Sequence, residues 1–356
     1  MWHNGPAARG AFCFAGHPAR LARKRAGWGQ RMITAYRAEG GRLQAAGGEV
    51  SPLDGLVWID LEMPVASEEA LVEAVLDIEI PTREDMQEIE VSSRLYDEKG
   101  ALFLTAQVLA TPEGHPPEIG PVTFVLTPDR LLTVRYHAPR SIKVFADRAK
   151  VQGMGCVNGQ TTLLALMETL VDRLADILEA ETRKLDNLTR AIFEAHRPKG
   201  KAQTLAVVLQ RIGRAEDLNG KTEESLSTLL RVLGFLSTPT GGAAVAALKG
   251  VEKTRLKTLM HDIRSLQETA ARQARKIQFQ LDATLGVINI RQADIIKIFS
   301  VVAFVFLPPT LIASVYGMNF VQMPELKWPW GYPMALGLMA LSALVPWLVF
   351  RWKKWL

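Results

Sequence analysis

Apolar residues follow two different periods along this chain, and each period predicts its own kind of structure. Within residues 32–155, short β-type runs such as VWIDL and VTFVLT stand between Pro and Gly turns. Helical patterns occur there near Glu68–Leu76 and Thr82–Ile89. From Gln160 onward the period is 3.6 residues, with breaks predicted at HRPKG (196–200) and STPTGG (237–242). The pattern therefore predicts an α/β domain followed by long helices.

A third helix is predicted from about Glu252 into the apolar C-terminal region, because no Pro occurs between Glu252 and Leu307. A heptad-like apolar seam runs along it, interrupted by Gln273 and Gln280. The seam consists of Leu256, Leu259, Ile263, Leu266, Ala270, Ile277 and Val287. A helix of about 65 residues would be roughly 100 Å long. We therefore infer self-association, with a stack of helices within one chain as the alternative explanation for part of the seam.

Two apolar segments near the C-terminus have the length of membrane spans. No charged residue occurs from Ile298 to Pro324, and a second apolar segment covers Pro333–Phe350. A buried core helix could explain either segment alone, but two such segments bordered by Trp and Tyr residues favour a membrane. Positive residues precede the first span and follow the second. They are Arg291 and Lys297 before the first, and Arg351, Lys353 and Lys354 after the second. The distribution predicts two cytoplasmic termini, an external loop and contact with a lipid bilayer.

Charge and composition argue against nucleic-acid binding and against metal or disulfide sites built from cysteines. The formal charge is +5, but residues 1–31 contain six basic side chains and no acidic ones, so subtracting that tail leaves −1 for the rest. The basic balance thus does not predict nucleic-acid binding. The tail looks disordered or like a start-site artefact, with Met32 as the functional start. The two Cys residues are far apart and follow no metal or disulfide spacing.

No enzyme motif is present in the sequence. It contains neither a Walker loop nor G-x-S-x-G, and its six His residues are scattered. The glycine-rich stretch at 153–159 does not follow the dinucleotide-binding pattern and is expected to be a loop before a helix. We therefore predict a protein that is not an enzyme and has no cofactor.

The first apolar span has a small or polar side. At 100° per residue, one arc of about 80° contains Asp282, Asn289, Ile296, Ser300, Ala303, Leu307, Thr310 and Ser314. Such a side suits ordinary helix packing in membranes, or a pore whose hydroxyl groups face water. Pro308 and Pro309 free backbone carbonyls at the same depth, and these need neighbours or water.

Several stretches resemble the CorA magnesium transporters. They are YGMNF (316–320), MPELKWPWGYP (323–333), the terminal FRWKKWL, and INIRQADIIKIFSVVAFVFLPPTLIAS, which is similar to the first transmembrane helix of the enterobacterial branch. The resemblance extends from about Met32 to the end. It implies a homopentameric, funnel-shaped channel with an α/β cytoplasmic domain, a long helical stalk and two C-terminal transmembrane helices.

With this resemblance the chain divides into seven parts. They are a tail (1–31), an α/β domain (32–155), a helical hairpin (156–250), a stalk helix continuing into the first span (251–316), an external loop (317–332), the second span (333–350) and a basic tail (351–356).

The resemblance also implies roles for particular residues. Gly317, Met318 and Asn319 would form the selectivity filter at the outer mouth. The predicted pore lining is Ile296, Phe299, Ser300, Ala303, Leu307, Thr310 and Ser314, with apolar constrictions at Phe299 and Leu307. Relatives often have an Asn ring lower in the stalk, where this chain has Ala293. Regulatory Mg²⁺ is expected to bridge subunits through the carboxylates of Asp97, Glu98 and Asp262.

The function that this resemblance implies is Mg²⁺ influx across the inner membrane, with Co²⁺ and Ni²⁺ as further possible ions and intracellular Mg²⁺ as the gating signal. Two alternatives stay open at this point. A zinc transporter of the same architecture usually lacks the GMN triplet, and a membrane-anchored coiled-coil adaptor would conduct nothing.

Overall fold

A computed structural model describes residues 33–47, 55–88, 90–194, 205–238, 250–319 and 323–353. The N-terminal tail (1–31) and the predicted helix breaks at 196–200 and 239–242 lie outside the described residues.

The described chain is an α/β region followed by long helices. The strands are β1 (Ile33–Glu39), β2 (Arg42–Gly47), β3 (Leu56–Glu62), β4 (Leu95–Glu98), β5 (Ala101–Ala110), β6 (Glu118–Leu126) and β7 (Leu131–Arg135). The helices are α1 (Ala66–Leu76), α2 (Val91–Arg94), α3 (Arg140–Val151), α4 (Gly159–Glu194), α5 (Leu205–Ser237), α6 (Gly250–Tyr316) and α7 (Gly331–Trp352). Short 3₁₀ turns occur at Asp85–Gln87 and Pro324–Lys327.

The seven strands form one mixed sheet in the order β2-β1-β3-β7-β6-β5-β4. Among the described strands, β3 and β7 pair in parallel, and the other pairs are antiparallel. All ten residues of β5 are buried, and so are nearly all residues of β3. These continuous apolar runs are typical of strands that are covered on both faces.

Different helices cover the sheet. On one face, Val72 of α1 and the segment Ile78–Met86 join a core with strand residues such as Leu61 and Phe103. Elsewhere, Trp58 stacks on Tyr36 with ring centroids 4.4 Å apart and meets Phe145 of α3 edge-on at 5.2 Å. The aromatic contacts anchor α3 on the sheet.

A buried polar network joins the two parallel strands. The Arg135 guanidinium donates to both carboxylate oxygens of Asp60 and also to Glu62. Thr133 donates to Asp60 at 2.6 Å and accepts the Trp58 indole N–H at 3.1 Å. Burial opposes the charge of Arg135, but the neighbouring carboxylates raise its pKa. Satisfied partners allow these charges to lie inside the sheet.

The helix predicted over Thr82–Ile89 is wrong in extent. Over the described residues 82–88, a single 3₁₀ turn forms, at Asp85–Gln87. Thr82 and Asp85 bond each other: the backbone N–H and hydroxyl of Thr82 donate to the Asp85 carboxylate at 2.9 and 2.7 Å. The Asp85 N–H donates back to the Thr82 hydroxyl oxygen at 3.3 Å, so the two residues form a capping box that starts the turn, and these bonds lower the pKa of Asp85.

The glycine-rich stretch at 153–159 ends at the first residue of α4. A side chain on Gly159 would lie 2.4 Å from the Arg130 backbone, and the Gly159 N–H donates to the Asp129 carbonyl at 3.1 Å. The glycine is therefore required by this close approach to the β6–β7 turn and not by a nucleotide.

The described residues divide into two compact units. The first comprises those within Met1–Leu174 and Glu224–Ser265, and the second those within Ala175–Glu223 and Leu266–Leu356. The core of the second unit is formed by three helices. It contains Leu185, Leu188 and Ile192 of α4, Val208, Ile212 and Ala215 of α5, and Ile277 and Val287 of α6.

The apolar seam of α6 is buried within this single chain. Six of its seven residues are less than a tenth exposed, and Leu266 is half-buried. The alternative, helices stacking within one chain, therefore accounts for the seam, and the seam gives no support to self-association. The inference of self-association from the length of the helix stays a prediction. Gln273 and Gln280, which interrupt the seam, lie on the same buried surface of α6.

Candidate ion pathway and metal-binding residues

In the part of the chain that the structure describes, two helices are long and apolar enough to cross a membrane, namely α6 and α7. In the most apolar 18-residue window of each helix, only 6% of the residues are buried within the chain. A core helix of a soluble protein would be mostly buried, so this alternative does not fit. The exposed apolar surface requires lipid or further protein.

The two spans meet at an aromatic contact. The ring of Phe304 in α6 lies edge-on to that of Phe350 in α7, with centroids 6.0 Å apart. Val301 and Ala335 are among the few span residues that are nearly fully buried. At the end of α7, the Arg351 guanidinium lies 5.2 Å from the Trp347 ring centroid, an arrangement suited to the level of the lipid headgroups.

The predicted pore-lining residues lie on surfaces that the chain itself leaves open. Ile296, Ala303, Thr310 and Ser314 are exposed, and Ser300 is partly exposed. The two largest apolar members, Phe299 and Leu307, are 71% and 66% exposed. All seven residues are therefore available to water, lipid or another chain.

Hydroxyl groups on this side bond their own helix. Ser300 donates to the Ile296 carbonyl at 2.8 Å, and Thr310 donates to the Phe306 carbonyl at 2.7 Å. With their hydrogens used in this way, both oxygens still have lone pairs that can accept hydrogen bonds from water. Such oxygens favour a hydrated cation over an anion.

Helix α6 continues through Pro308 and Pro309. Proline has no N–H, so the carbonyls four residues earlier, at Phe304 and Val305, receive no bond from the usual donors. Thr310, directly after the two prolines, donates its hydroxyl hydrogen to the carbonyl of Phe306, the residue after Val305. The prolines and Thr310 thus place polar groups together in the middle of the first span.

The GMN triplet begins where α6 ends. The Gly317 N–H donates to the Ala313 carbonyl at 2.9 Å, and the Met318 N–H donates to the Val315 carbonyl at 3.3 Å. A side chain at position 317 would lie 3.1 Å from that same Ala313 carbonyl, so glycine relieves crowding in the turn. Asn319 is exposed, which leaves its amide accessible at the end of the helix.

The carboxylates expected to bind regulatory metal lie in two places. Asp97 and Glu98 are exposed on β4, the edge strand of the sheet. Asp262 is exposed on α6 and lines a cavity of about 760 Å³ with Glu168 and Asp172 of α4. Among the described residues, no group of three or more His, Cys, Asp or Glu side chains could hold a metal. One chain therefore does not bring the three predicted residues into a metal cluster.

One side of this cavity already carries a positive charge. Arg255 donates to both oxygens of Glu168, through Nε at 2.9 Å and Nη2 at 2.7 Å, and this pairing raises the pKa of Arg255. Burial raises the pKa of the nearby Cys156 thiol. The sequence reasoning missed Glu168 and Asp172, although their i,i+4 spacing on a predicted helix places them on one face.

Sequence comparison connects these features with known proteins. Residues 54–354 match the family model described as "CorA-like Mg2+ transporter protein". The chain is 36% identical to the Magnesium transport protein CorA of Escherichia coli (strain K12) over 326 residues, which are 91% of this chain and 100% of that protein. The chain belongs to the CorA-like Mg²⁺ transporter family. The Salmonella typhimurium protein of the same name is 35% identical over the same length.

Solved structures support the CorA fold. The complete CorA magnesium transporter from Methanocaldococcus jannaschii matches with a TM-score of 0.72 at 17% identity, covering 92% of this chain and 99% of that one. The full-length CmaX protein matches at 0.66 and 16% identity, with the same coverage. The ZntB cytoplasmic domain from Vibrio parahaemolyticus RIMD 2210633 matches at 0.53 and 11% identity, covering 73% and 99%. The architecture expected for a CorA chain, an α/β region, a long helix and two apolar C-terminal helices, is thereby confirmed.

Proposed function

We propose that this protein is a homopentameric channel that admits Mg²⁺ across the inner membrane into the cytoplasm. The observation that carries the proposal is the course of α6, which presents small and polar residues along an otherwise apolar span and ends at Gly317-Met318-Asn319. Several copies of such a helix can surround a polar path while their bulky side chains face lipid. Family membership supplies the number five.

The chemistry of Mg²⁺ explains the choice of an amide at the outer mouth. Mg²⁺ holds its water shell tightly and loses it reluctantly. A ring of Asn319 oxygens would accept hydrogen bonds from the hydrated ion without removing its water. A ring of carboxylates would bind the ion more strongly and slow its exit, because conduction requires weak or multiple sites. Farther in, Thr310 would provide a second polar ring, followed by the apolar constrictions at Leu307 and then Phe299.

The proposed topology has both termini in the cytoplasm and the GMN loop outside, because positive residues precede the first span and follow the second. Intracellular Mg²⁺ would close the channel by bridging Asp97, Glu98 and Asp262 between subunits. This arrangement agrees with the exposure of the three carboxylates. Co²⁺ and Ni²⁺ are further candidate ions.

Ion flux in liposomes tests the proposal. We expect the purified chain to carry Mg²⁺ without a proton gradient and to carry Zn²⁺ poorly. No flux of either ion would favour a non-conducting adaptor, while proton-dependent Zn²⁺ flux would favour a zinc transporter. Parallel assays with Co²⁺ and Ni²⁺ define the range of ions.

Native mass measurement tests the assembly separately. A pentamer is expected both in detergent and in lipid. A monomer or dimer in both media would contradict the proposal, whatever the flux assay gives.

A further inference from the structure

Two glutamines of α6 make the same contacts with α4, one heptad apart. Nε2 of Gln273 donates to the Leu178 carbonyl at 2.7 Å and to the Thr182 hydroxyl oxygen at 2.6 Å. Nε2 of Gln280 donates to the Leu185 carbonyl at 2.6 Å and to the Thr189 hydroxyl oxygen at 2.7 Å. The spacing is seven residues on both helices. We refer to these two sets as the glutamine layers.

The hydroxyl groups of Thr182 and Thr189 are oriented to accept hydrogen bonds from the glutamine amides. Thr182 donates its own hydroxyl hydrogen to the Leu178 carbonyl at 2.9 Å, and Thr189 does the same to Leu185 at 3.1 Å. Each hydroxyl oxygen is then turned to accept a bond from the glutamine. Both hydrogens of each amide nitrogen are thereby used, and each layer recognises one carbonyl and one hydroxyl on α4.

Glutamine is not the residue that would make the contact between α4 and α6 most stable. Gln273 is 4% exposed and Gln280 is fully buried, yet Oε1 of both has no hydrogen-bond partner among the described residues. A buried acceptor without a partner costs free energy, and an unbranched apolar side chain would avoid that cost. A polar residue in an apolar helix interface instead selects one register at some cost in stability.

We infer that the glutamine layers set the axial and rotational register of α6 against α4, so that Gln273 and Gln280 are positioning residues for the ion pathway. The apolar seam alone would tolerate a shift by one helical turn, because apolar residues recur every three or four positions. Such a shift would bury both amides without their acceptors. This inference rests on the proposed function for its link to transport.

The geometry of α6 connects the layers with the predicted pore side. Asp282 is two residues beyond Gln280, which is about 200° around the helix. Gln280 is fully buried, whereas Asp282 is exposed. The row that begins at Asp282 continues at the same seven-residue spacing through Asn289, Ile296, Ala303 and Thr310. Holding Gln280 against α4 therefore turns this whole row away from α4.

Cross-linking of the full-length protein reports the register directly. Lys276 of α6 forms an ion pair with Asp186 of α4, so cysteines replacing both residues should be joined by a short thiol cross-linker. Off-register pairs combine Asp186→Cys with Arg272→Cys or Phe279→Cys, each about one turn away along α6. In a Cys13→Ser background, we expect the native pair to react about ten-fold faster or more than either off-register pair.

Variants then test the cause of that preference. Gln273→Met with Gln280→Met keeps an unbranched side chain but removes the amides. We expect the off-register pairs to react as readily as the native pair, while thermal stability is unchanged or higher. Thr182→Val with Thr189→Val should weaken the preference, and the corresponding Ser variants should retain it. Thr284→Val is a matched control, because its buried hydroxyl donates to the Gln280 carbonyl of its own helix and not to a described residue of α4.

The flux assay separates this inference from the proposed function. The methionine variant should show incomplete closure at Mg²⁺ concentrations that close the parent. An unchanged cross-linking preference in both the methionine and valine variants would overturn the inference. A lost preference with normal flux and closure would overturn the positioning role. If the parent conducts no Mg²⁺ but the cross-linking result is as expected, the proposed function fails and the register assignment stands.

Discussion

Arg135 and Asp60 form a two-bonded ion pair across the parallel strands β3 and β7, with Nη2–Oδ2 at 2.8 Å and Nε–Oδ1 at 3.1 Å. Both side chains are less than a tenth exposed. Asp60→Ala would leave a buried guanidinium with only Glu62 as a charged partner, and we expect it to cost about 3–5 kcal/mol of stability. Hydrogen exchange of peptides from β3 and β7 measures this loss.

The matched control for Asp60→Ala is Glu179→Ala, which removes an exposed ion pair with Arg183 on α4. Because water screens exposed pairs, the control should change stability by less than about 1 kcal/mol. Equal effects of the two variants would show that the buried network does not stabilise the sheet.

His137 should make the α/β region sensitive to acid. Its Nε2 lies 2.9 Å from the Val108 carbonyl and must carry the proton, while its buried Nδ1 has no partner in the described part of the chain. Burial lowers the pKa of His137, although the Val108 carbonyl and Glu118 oppose the shift. As pH falls below about 6.5, the unfolded chain takes up a proton that the folded chain resists, so stability should fall.

The test of this pH dependence is His137→Gln, which can still donate to the Val108 carbonyl but does not titrate. Thermal unfolding between about pH 5.5 and 7 should depend less on pH in this variant than in the parent. His115→Gln, at an exposed histidine, is the control and should retain the slope of the parent. Equal slopes in the parent and His137→Gln would contradict the prediction.

Regulation by intracellular Mg²⁺ should depend on Asp97, Glu98 and Asp262. The triple variant Asp97→Asn, Glu98→Gln and Asp262→Asn should leave channels open at Mg²⁺ concentrations that close the parent, because the bridging carboxylates are removed. Flux in liposomes with Mg²⁺ enclosed measures closure.

The control for this test removes three charges from the segment that precedes Asp97 in the chain, with Glu84→Gln, Asp85→Asn and Glu88→Gln. We expect it to close like the parent. The opposite pattern, with normal closure of the first triple variant and failure of the second, would move the sensor to this segment.

Asn319→Ala tests the amide ring at the outer mouth. The pentamer should still assemble, because Asn319 is exposed and little apolar contact is lost, but Mg²⁺ flux should fall greatly. Asn319→Asp would add one negative charge per subunit, which attracts cations and slows their exit. Val315→Ile, which changes an exposed apolar side chain about one turn before Asn319 and removes no oxygen, is the control and should conduct normally.

Hexaammine cobalt(III) gives this test a second measurement, because it resembles hydrated Mg²⁺ and does not release its ligands. It should block the parent from outside and block Asn319→Ala less. Normal flux and normal block in a well-assembled Asn319→Ala pentamer would refute the role in the filter, and loss of assembly would indicate a structural role for Asn319.

The sequence by itself determined the features that depend on neighbouring residues. The absence of charge from Ile298 to Pro324 predicted a membrane-length helix, and α6 and α7 include both predicted spans. The strand runs and the 3.6-residue period predicted the α/β region and the long helices. The GMN triplet indicated the family that sequence comparison then showed. These signals are local, because helix period, strand alternation and hydropathy are properties of short windows.

Only the tertiary structure decided which surface each helix buries and which distant residues meet. The α6 seam proved to be buried within the chain, the glutamines in it proved to bond residues 91 to 95 positions earlier, and Asp262 proved to share a cavity with Glu168 and Asp172. The helix predicted near Thr82 similarly proved to be a short 3₁₀ turn at Asp85–Gln87. An apolar stripe shows that a helix face must be covered, but the partner that covers it depends on packing between segments far apart in the chain.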